Sequence, residues 1–330
     1  MHESVKEIQR FVESFNFGKL HSLYFRLYNR LRPDFKLRLS RTAGSAIASV
    51  ALATLFISAA AAQPGSGVGR TVLATIVDAR GRTMVDLDVA DFVVEESGAS
   101  REVFDVRIAD YPLVVLLDNG NSGLDAESDF EVMRAAVTRF VGRIGDRAVA
   151  LGTLADPPAM VTTFDDERDV VLDRIAKLEL GPSAWLLPLQ AIANGAHSIS
   201  ESGALFSAII VVSSPYSRTR ETEPSTLLTP ILQTGARVHV VARRPTDPAA
   251  QLETARYETL LREMSSQTLG QFTPVYATGS YAVALDRLAD RLAVEMLVDY
   301  YVPPGSPIDP TVRVGVKVPG ARVIGLGVAK

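Results

Sequence analysis

The chain has 330 residues, 47% of them hydrophobic and 22% charged, with no cysteine; this is the balance of a packed globular protein and excludes wholesale disorder. The formal charge of −4 conceals an asymmetry, because residues 1–42 hold nine Lys/Arg and four Asp/Glu, leaving 25 Lys/Arg against 34 Asp/Glu beyond. An acidic body excludes a broad phosphate-binding surface, so no nucleic-acid partner is expected, and the missing thiols exclude a disulfide framework, a thiolate nucleophile and a cysteine zinc site.

From Ala43 to Ala62 the run AGSAIASVALATLFISAAAA carries no charge, and it follows Arg26, Arg30, Arg32, Lys36, Arg38 and Arg41, opposed only by Asp34. A basic flank before an apolar segment directs export. Ala60 and Ala62 stand at the A-x-A spacing a signal peptidase reads, so cleavage after Ala62 is one reading. A retained anchor is the other, since 20 apolar residues at about 1.5 Å each can cross a bilayer. In both cases 1–62 is a leader, the membrane is touched only through 43–62 if uncleaved, and the body lies in a bacterial periplasm or on a cell surface.

Residues 66–108 read as a small β-rich unit, with TVLATIVD, a turn at Ala79-Arg80-Gly81-Arg82, DFVVEE and EVFDVRI, short β-branched runs separated by turn residues. Such a unit is too small to bury its own core and must pack on the chain beyond it. From Tyr111 the pattern changes. YPLVVLLD, DRAVALGTL, LFSAIIVVS, ARVHVVAR and QFTPVY are the near-continuous apolar runs of strands covered on both faces. Helix-like stretches separate them at 125–143, 167–178, 185–200, 224–234 and 252–268, which predicts a doubly wound parallel α/β sheet, Rossmann-like in winding, over 109–300. The amphipathic stretch 281–298 predicts a closing helix. DYYVPPG, TVRVGVKV and ARVIGLGV then predict a hairpin or added strands, chiefly over 301–330, that pair with the unit at 66–108.

In an open parallel sheet, ligands bind beyond the carboxyl ends of the strands. Asp118 stands at such an end, in the loop Asp118-Asn119-Gly120-Asn121-Ser122-Gly123. A carboxylate followed by hydroxyl and amide oxygens suits a hard divalent cation. A strand-ending Asp that caps the helix starting near Asp125 explains the loop equally well.

At this point the chain resembles the von Willebrand factor A domain, in particular the bacterial proteins described as VWFA-related. The likeness rests on IVDARGRTMVDLDVADFVVEESG ahead of the domain, YPLVVLLDNGNS at its first strand and LVDYYVPPG at its end, and it covers nearly the whole chain after the leader. The resemblance implies an adhesion site of the form Asp-x-Ser-x-Ser, with a Thr from a second loop and an Asp from a third, around Mg²⁺. Asp118 matches the first ligand and Ser122 the second serine, but Gly120 stands where the first serine belongs. Ser183, in LGPSAWLLPLQAI, falls near the expected Thr. Ser213-Ser214-Pro215 stand in place of Thr-Asp-Gly, so the second carboxylate is missing. Asp118, Ser122 and Ser183 are thus what remains of a degenerate metal site. Mg²⁺ dehydrates reluctantly and demands octahedral oxygen geometry, so no cofactor is expected and only weak Mg²⁺ binding stays open.

Catalysis is not expected. Ser122 stands on a parallel strand's end and Leu124 breaks the G-x-S-x-G pattern, so no nucleophile elbow is indicated. His239, inside ARVHVVAR, reads as a core residue, and His197 as a surface one. Asp165, Asp166 and Glu167 read as a helix cap. Asp118 lacks the companions of a phosphoacceptor, and an exported protein lacks the donor. The function expected is an exported protein-binding or adhesion module whose partner is a protein in or outside the cell envelope, with an envelope assembly or structural component as the alternative and a cryptic hydrolase as a remoter one. Contacts are expected from Asn119, Asn121, Trp185, Tyr216, Arg218 and Arg220, on loops at 119–126, 181–187 and 214–223. Arg and aromatic residues often anchor interfaces, although SPYSRTRETEP also reads as a solvated loop and Trp185 as a packing residue at a helix start.

Overall fold

The computed structural model describes residues 68–122, 125–215, 217–221, 225–305 and 311–328, all within one compact unit, Ala62–Lys330. The leader expected at 1–62 and the contact expected from Tyr216 lie outside the described residues. Among the described residues no helix is long and apolar enough to cross a membrane.

Strand β1 (Val68–Val77) leads through a one-turn 3₁₀ helix (Val89–Asp91) to β2 (Phe92–Glu96), β3 (Ala99–Arg101) and β4 (Val103–Ile108). The 3₁₀ turn starts in a reciprocal cap: Asp88 accepts from Ala90 N, and Asp91 accepts from Asp88 N, which uses two otherwise orphaned donors. Next come β5 (Leu113–Leu117), α1 (Ala126–Arg143), β6 (Val149–Thr153) and α2 (Arg168–Lys177). The two-residue β7 (Trp185–Leu186) precedes α3 (Pro188–Ser202), β8 (Ala208–Ser213), the two-residue β9 (Arg218–Thr219) and α4 (Ser225–Gln233). Then come β10 (Arg237–Arg243), α5 (Pro248–Gln267), β11 (Phe272–Val275) and α6 (Ser280–Leu292), and finally β12 (Glu295–Val302), β13 (Val312–Val316) and β14 (Arg322–Val328).

Five strands form the parallel sheet, in the order β11-β10-β8-β5-β6. Alternate residues of each strand enter different cores. Leu113, Val115 and Leu117 of β5 join Phe130, Phe140 and Leu285 on the face covered by α1, α2 and α6. Val114 and Leu116 join Leu189, Ile192 and Leu261 on the face covered by α3, α4 and α5. The expected doubly wound α/β sheet, helices on both faces, is therefore present.

The β-rich ends of the chain complete each other. One antiparallel sheet runs β14-β1-β12-β4, and a second runs β13-β2-β3. Val72, Ala74 and Ile76 of β1 pack with Val298, Tyr300 and Phe92 between these two sheets, whereas Leu73 and Leu297, on the opposite face, enter a core of the parallel domain. The joint is also polar. Glu295 accepts from both Nη atoms of Arg237 at 2.8 Å and from the Tyr111 hydroxyl, while the Arg147 guanidinium stacks 4.2 Å from the Tyr111 ring centroid.

Three expectations need correction. The closing helix stops at Leu292, not 298: the β-branched and aromatic run EMLVDYYV is strand β12, paired with β1 from Thr75↔Glu295 to Val68↔Val302. The 300/301 boundary therefore falls inside a strand. The helix expected from 185 begins at Pro188, where the missing N–H costs nothing, so Trp185 is not at a helix start. The helix expected from 252 begins at Pro248, capped by Asp247 accepting from Ala250 N at 2.9 Å.

Candidate functional site

Asp118 follows β5 at the carboxyl edge of the parallel sheet and is 1% exposed. A buried carboxylate is tolerated only where donors replace its hydration, and three engage this one. Oδ1 accepts from Gly120 N at 2.9 Å. Oδ2 accepts from Ser214 N at 2.9 Å and from Ser217 Oγ at 2.5 Å, with Ser213 Oγ 3.4 Å away. The network extends inward. Ser213 Oγ donates to Tyr257 OH at 2.9 Å and lies 3.1 Å from Ser217 Oγ, and Tyr281 OH donates to Ser213 O at 2.6 Å. Burial, and after it the Asp118 charge, holds both phenols well above the ordinary tyrosine range.

Asp118 does not cap helix α1, whose N-cap residue Asp125 makes no side-chain cap bond either. It ties the loop after β5 to the loop after β8. Asn119 fastens the first loop to two others: its Oδ1 accepts from Ala155 N at 3.3 Å, its Nδ2 donates to Glu179 O at 3.4 Å, and its carbonyl accepts from Gly181 N at 2.7 Å. Asn119 is buried, so its expected partner contact is corrected to an internal strut. Asn121 is exposed and its N–H reaches Ser183 O at 2.9 Å. The loops carrying Asp118, Ser183 and Ser213–Ser217 do converge, as expected.

The hydroxyls nevertheless point to other work. Ser183 Oγ accepts from Trp185 N at 3.0 Å, closing a local turn. A side chain at Gly120 has no room, since a Cβ there would sit 2.8 Å from Leu186 Cδ2 and 3.2 Å from Asp118 Oδ1. Ser122 is half-buried. As arranged, the cluster offers a cation one carboxylate, three of whose acceptor positions are taken by protein donors. Among the described residues no three His, Asp or Glu side chains are grouped as metal ligands.

Beside this knot, β7 and β9 form a two-stranded parallel ribbon with Trp185 opposite Arg218. Trp185 is 40% exposed, and the Arg220 guanidinium lies 5.5 Å from its ring centroid, within cation–π range. Arg220 also meets Asp156 at 3.2 Å, and Arg218 meets Glu253 at 2.7 Å. Glu221, next in the chain, is buried; Oε1 accepts from Gln190 N at 2.7 Å in the first turn of α3, while Oε2 has no partner. Burial pushes its carboxyl up to about 7, against the lowering effect of the Gln190 and Leu189 N–H groups.

His239 is a buried core residue and His197 a surface one paired with Glu201, as expected. Asp166 caps the turn at Thr163, accepting from its N–H at 2.7 Å, whereas Glu167, the N-cap residue of α2, makes no side-chain cap bond. Sequence reasoning missed Ser217, Tyr257, Tyr281 and Glu221. An acid ending a strand that is apolar throughout must be buried, and that was the available signal for a donor cluster around it.

No family model matches the sequence, and no curated protein matches it. Solved structures similar to it include proximal thread matrix protein 1 of the mussel byssus, at 10% identity over 56% of this chain and 48% of that one, TM-score 0.45. An aerotolerance-related membrane protein of Bacteroides fragilis matches at 14% identity over 55% and 98%, TM-score 0.43. A von Willebrand factor type A protein from Catenulispora acidiphila matches at 10% identity over 81% and 74%, TM-score 0.47. The chain spans about half the length of the byssus protein.

Proposed function

We propose that this chain is an exported protein-recognition module that binds through the ribbon at Trp185, Arg218 and Arg220, without metal and without catalysis. The observation that carries the reading is the division of labour at the sheet's carboxyl edge. The Asp118 carboxylate is consumed internally, locking two loops together, and the aromatic and cationic groups those loops support face solvent. Rigid loops presenting a half-exposed Trp beside two Arg side chains supply the residue types that dominate interface energies. A hard cation would need several open carboxylate lone pairs, and three of the roughly four that Asp118 offers are taken by protein donors. The apolar segment 43–62 supports placing the partner outside the cytoplasm.

The test is affinity capture from an envelope fraction with the full chain as bait, with and without chelator. One stoichiometric partner, retained in chelator and lost with Trp185→Ala or Arg220→Ala, is expected. Capture that requires Mg²⁺ overturns the metal-free reading, and capture indifferent to both substitutions overturns the assignment to the ribbon.

A further inference from the structure

On the other face of the sheet, α6 leaves a cleft of about 490 Å³ against β10 and the edge strand β11, within the size range of small-molecule sites. Its walls are apolar along Val241, Val275, Val283 and Leu288, and its polar side is basic. The basic side arises from how α6 distributes its charges. Asp286 and Asp290 turn to α1, where they pair with Arg139 and Arg143 at 2.5 to 3.2 Å. Arg287 and Arg291 line the cleft. Among the described residues neither has a carboxylate within ion-pair distance; the nearby Glu295 is already paired with Arg237.

Arg291, half-buried, meets only neutral groups: the Gln271 side-chain carbonyl and His239 Nδ1, the latter at 3.1 Å. Gln271 N also donates to His239 Nδ1, at 3.2 Å. Two donors on Nδ1 make it the acceptor nitrogen, so the ring proton of the neutral imidazole is on Nε2. That N–H is buried and without a partner, in a residue 3% exposed that lines the cleft. Burial, then Arg291 and Arg237, hold the imidazole down to about 3, so it stays neutral. A buried donor without an acceptor and a half-buried cation without an anion are each unfavourable alone. An oxyanion in the cleft would answer the second.

We propose that this cleft binds a small organic carboxylate, its apolar body along Val241, Val275 and Leu288 and its head on Arg287 and Arg291. Calorimetric titration of the full chain with hexanoate, hexanamide and inorganic phosphate tests the assignment. Saturable hexanoate binding is expected, with hexanamide and phosphate each weaker by about tenfold or more, because charge-assisted bonds and apolar burial both contribute. Arg291→Gln is expected to weaken hexanoate by about tenfold, as is the exposed Arg287→Gln, which cannot act by unfolding the core; Lys177→Ala, on α2 and outside the cleft, is expected to change nothing. No saturable binding in the millimolar range overturns the proposal. So does equal binding of hexanamide or of phosphate, and so does hexanoate binding that survives both arginine substitutions.

Discussion

Ser217 Oγ lies 2.5 Å from Asp118 Oδ2, joining residues 99 positions apart, and this contact makes the acid at the end of β5 a structural acceptor. The Asp118→Ala variant leaves the N–H groups of Gly120 and Ser214 and the Ser217 hydroxyl facing a buried void. The expected cost is about 3–5 kcal/mol, as for breaking a buried charged network from one side, read as a lower urea midpoint with or without Mg²⁺. An acid serving mainly as a metal ligand would instead leave the metal-free protein's stability nearly unchanged.

Gly120 stands where the family pattern has a serine, and restoring that serine is expected to do harm. The new Cβ would fall 2.8 Å from Leu186 Cδ2 and 3.2 Å from Asp118 Oδ1, in a region where Leu186 is 1% exposed. Overpacking of this kind costs about 1–3 kcal/mol. Gly120→Ser should lower the thermal midpoint, and the double variant with Leu186→Ala should lose less than the sum of the separate losses, because the two sites share one volume. Simple additivity of the two losses would show that Leu186 is not what excludes the side chain.

Glu221 gives stability a pH dependence of unusual sign for a carboxylate. Its folded value, about 7, lies above the ordinary 4.5, so the folded state holds the proton more tightly than the unfolded chain does. The protonated form's contribution is complete below about 4.5 and is lost as pH rises through about 7. Urea midpoints across this window should fall with rising pH, and Glu221→Gln should flatten that part of the profile. An unchanged slope in the variant would assign the dependence to other groups.

The parallel domain was legible in the sequence because strands buried on both faces cannot alternate in polarity: YPLVVLLD and LFSAIIVVS admit few other readings. β12 was not, because EMLVDYYV directly follows a helix with the same apolar spacing, and only its pairing with β1 separates strand from helix. The convergence of the Asp118, Ser183 and Ser214 loops was implied by the resemblance to the von Willebrand factor A domain, which sets three such loops around one site. What those side chains do there was not, since the donors that engage Asp118 include Ser217, and the network behind it is completed by Tyr257 from the middle of α5 and Tyr281 from α6. No local spacing links these positions. Asn119 misled for a related reason: a polar loop residue usually faces solvent, but this one bonds to backbone groups of two other loops.

Glu295 and Arg237 test how the terminal β sheets are held to the parallel domain. Glu295 opens β12 and Arg237 opens β10; both are largely buried, and their two contacts of 2.8 Å are shared with Tyr111. Burial first, and then the Glu295 charge, raises the Tyr111 phenol well above its ordinary range, so it remains a hydrogen-bond donor at any physiological pH. Glu295→Ala strands the Arg237 guanidinium in the joint and should cost about 3–5 kcal/mol. Replacing both, Glu295→Leu with Arg237→Met, removes the stranded charge and should recover most of that loss, since apolar substitutes for a buried pair are often neutral. Denaturant titration of the single and double variants measures the coupling. A double variant no more stable than Glu295→Ala would mean that the pair contributes through geometry apolar side chains cannot supply, such as the register between β12 and β1.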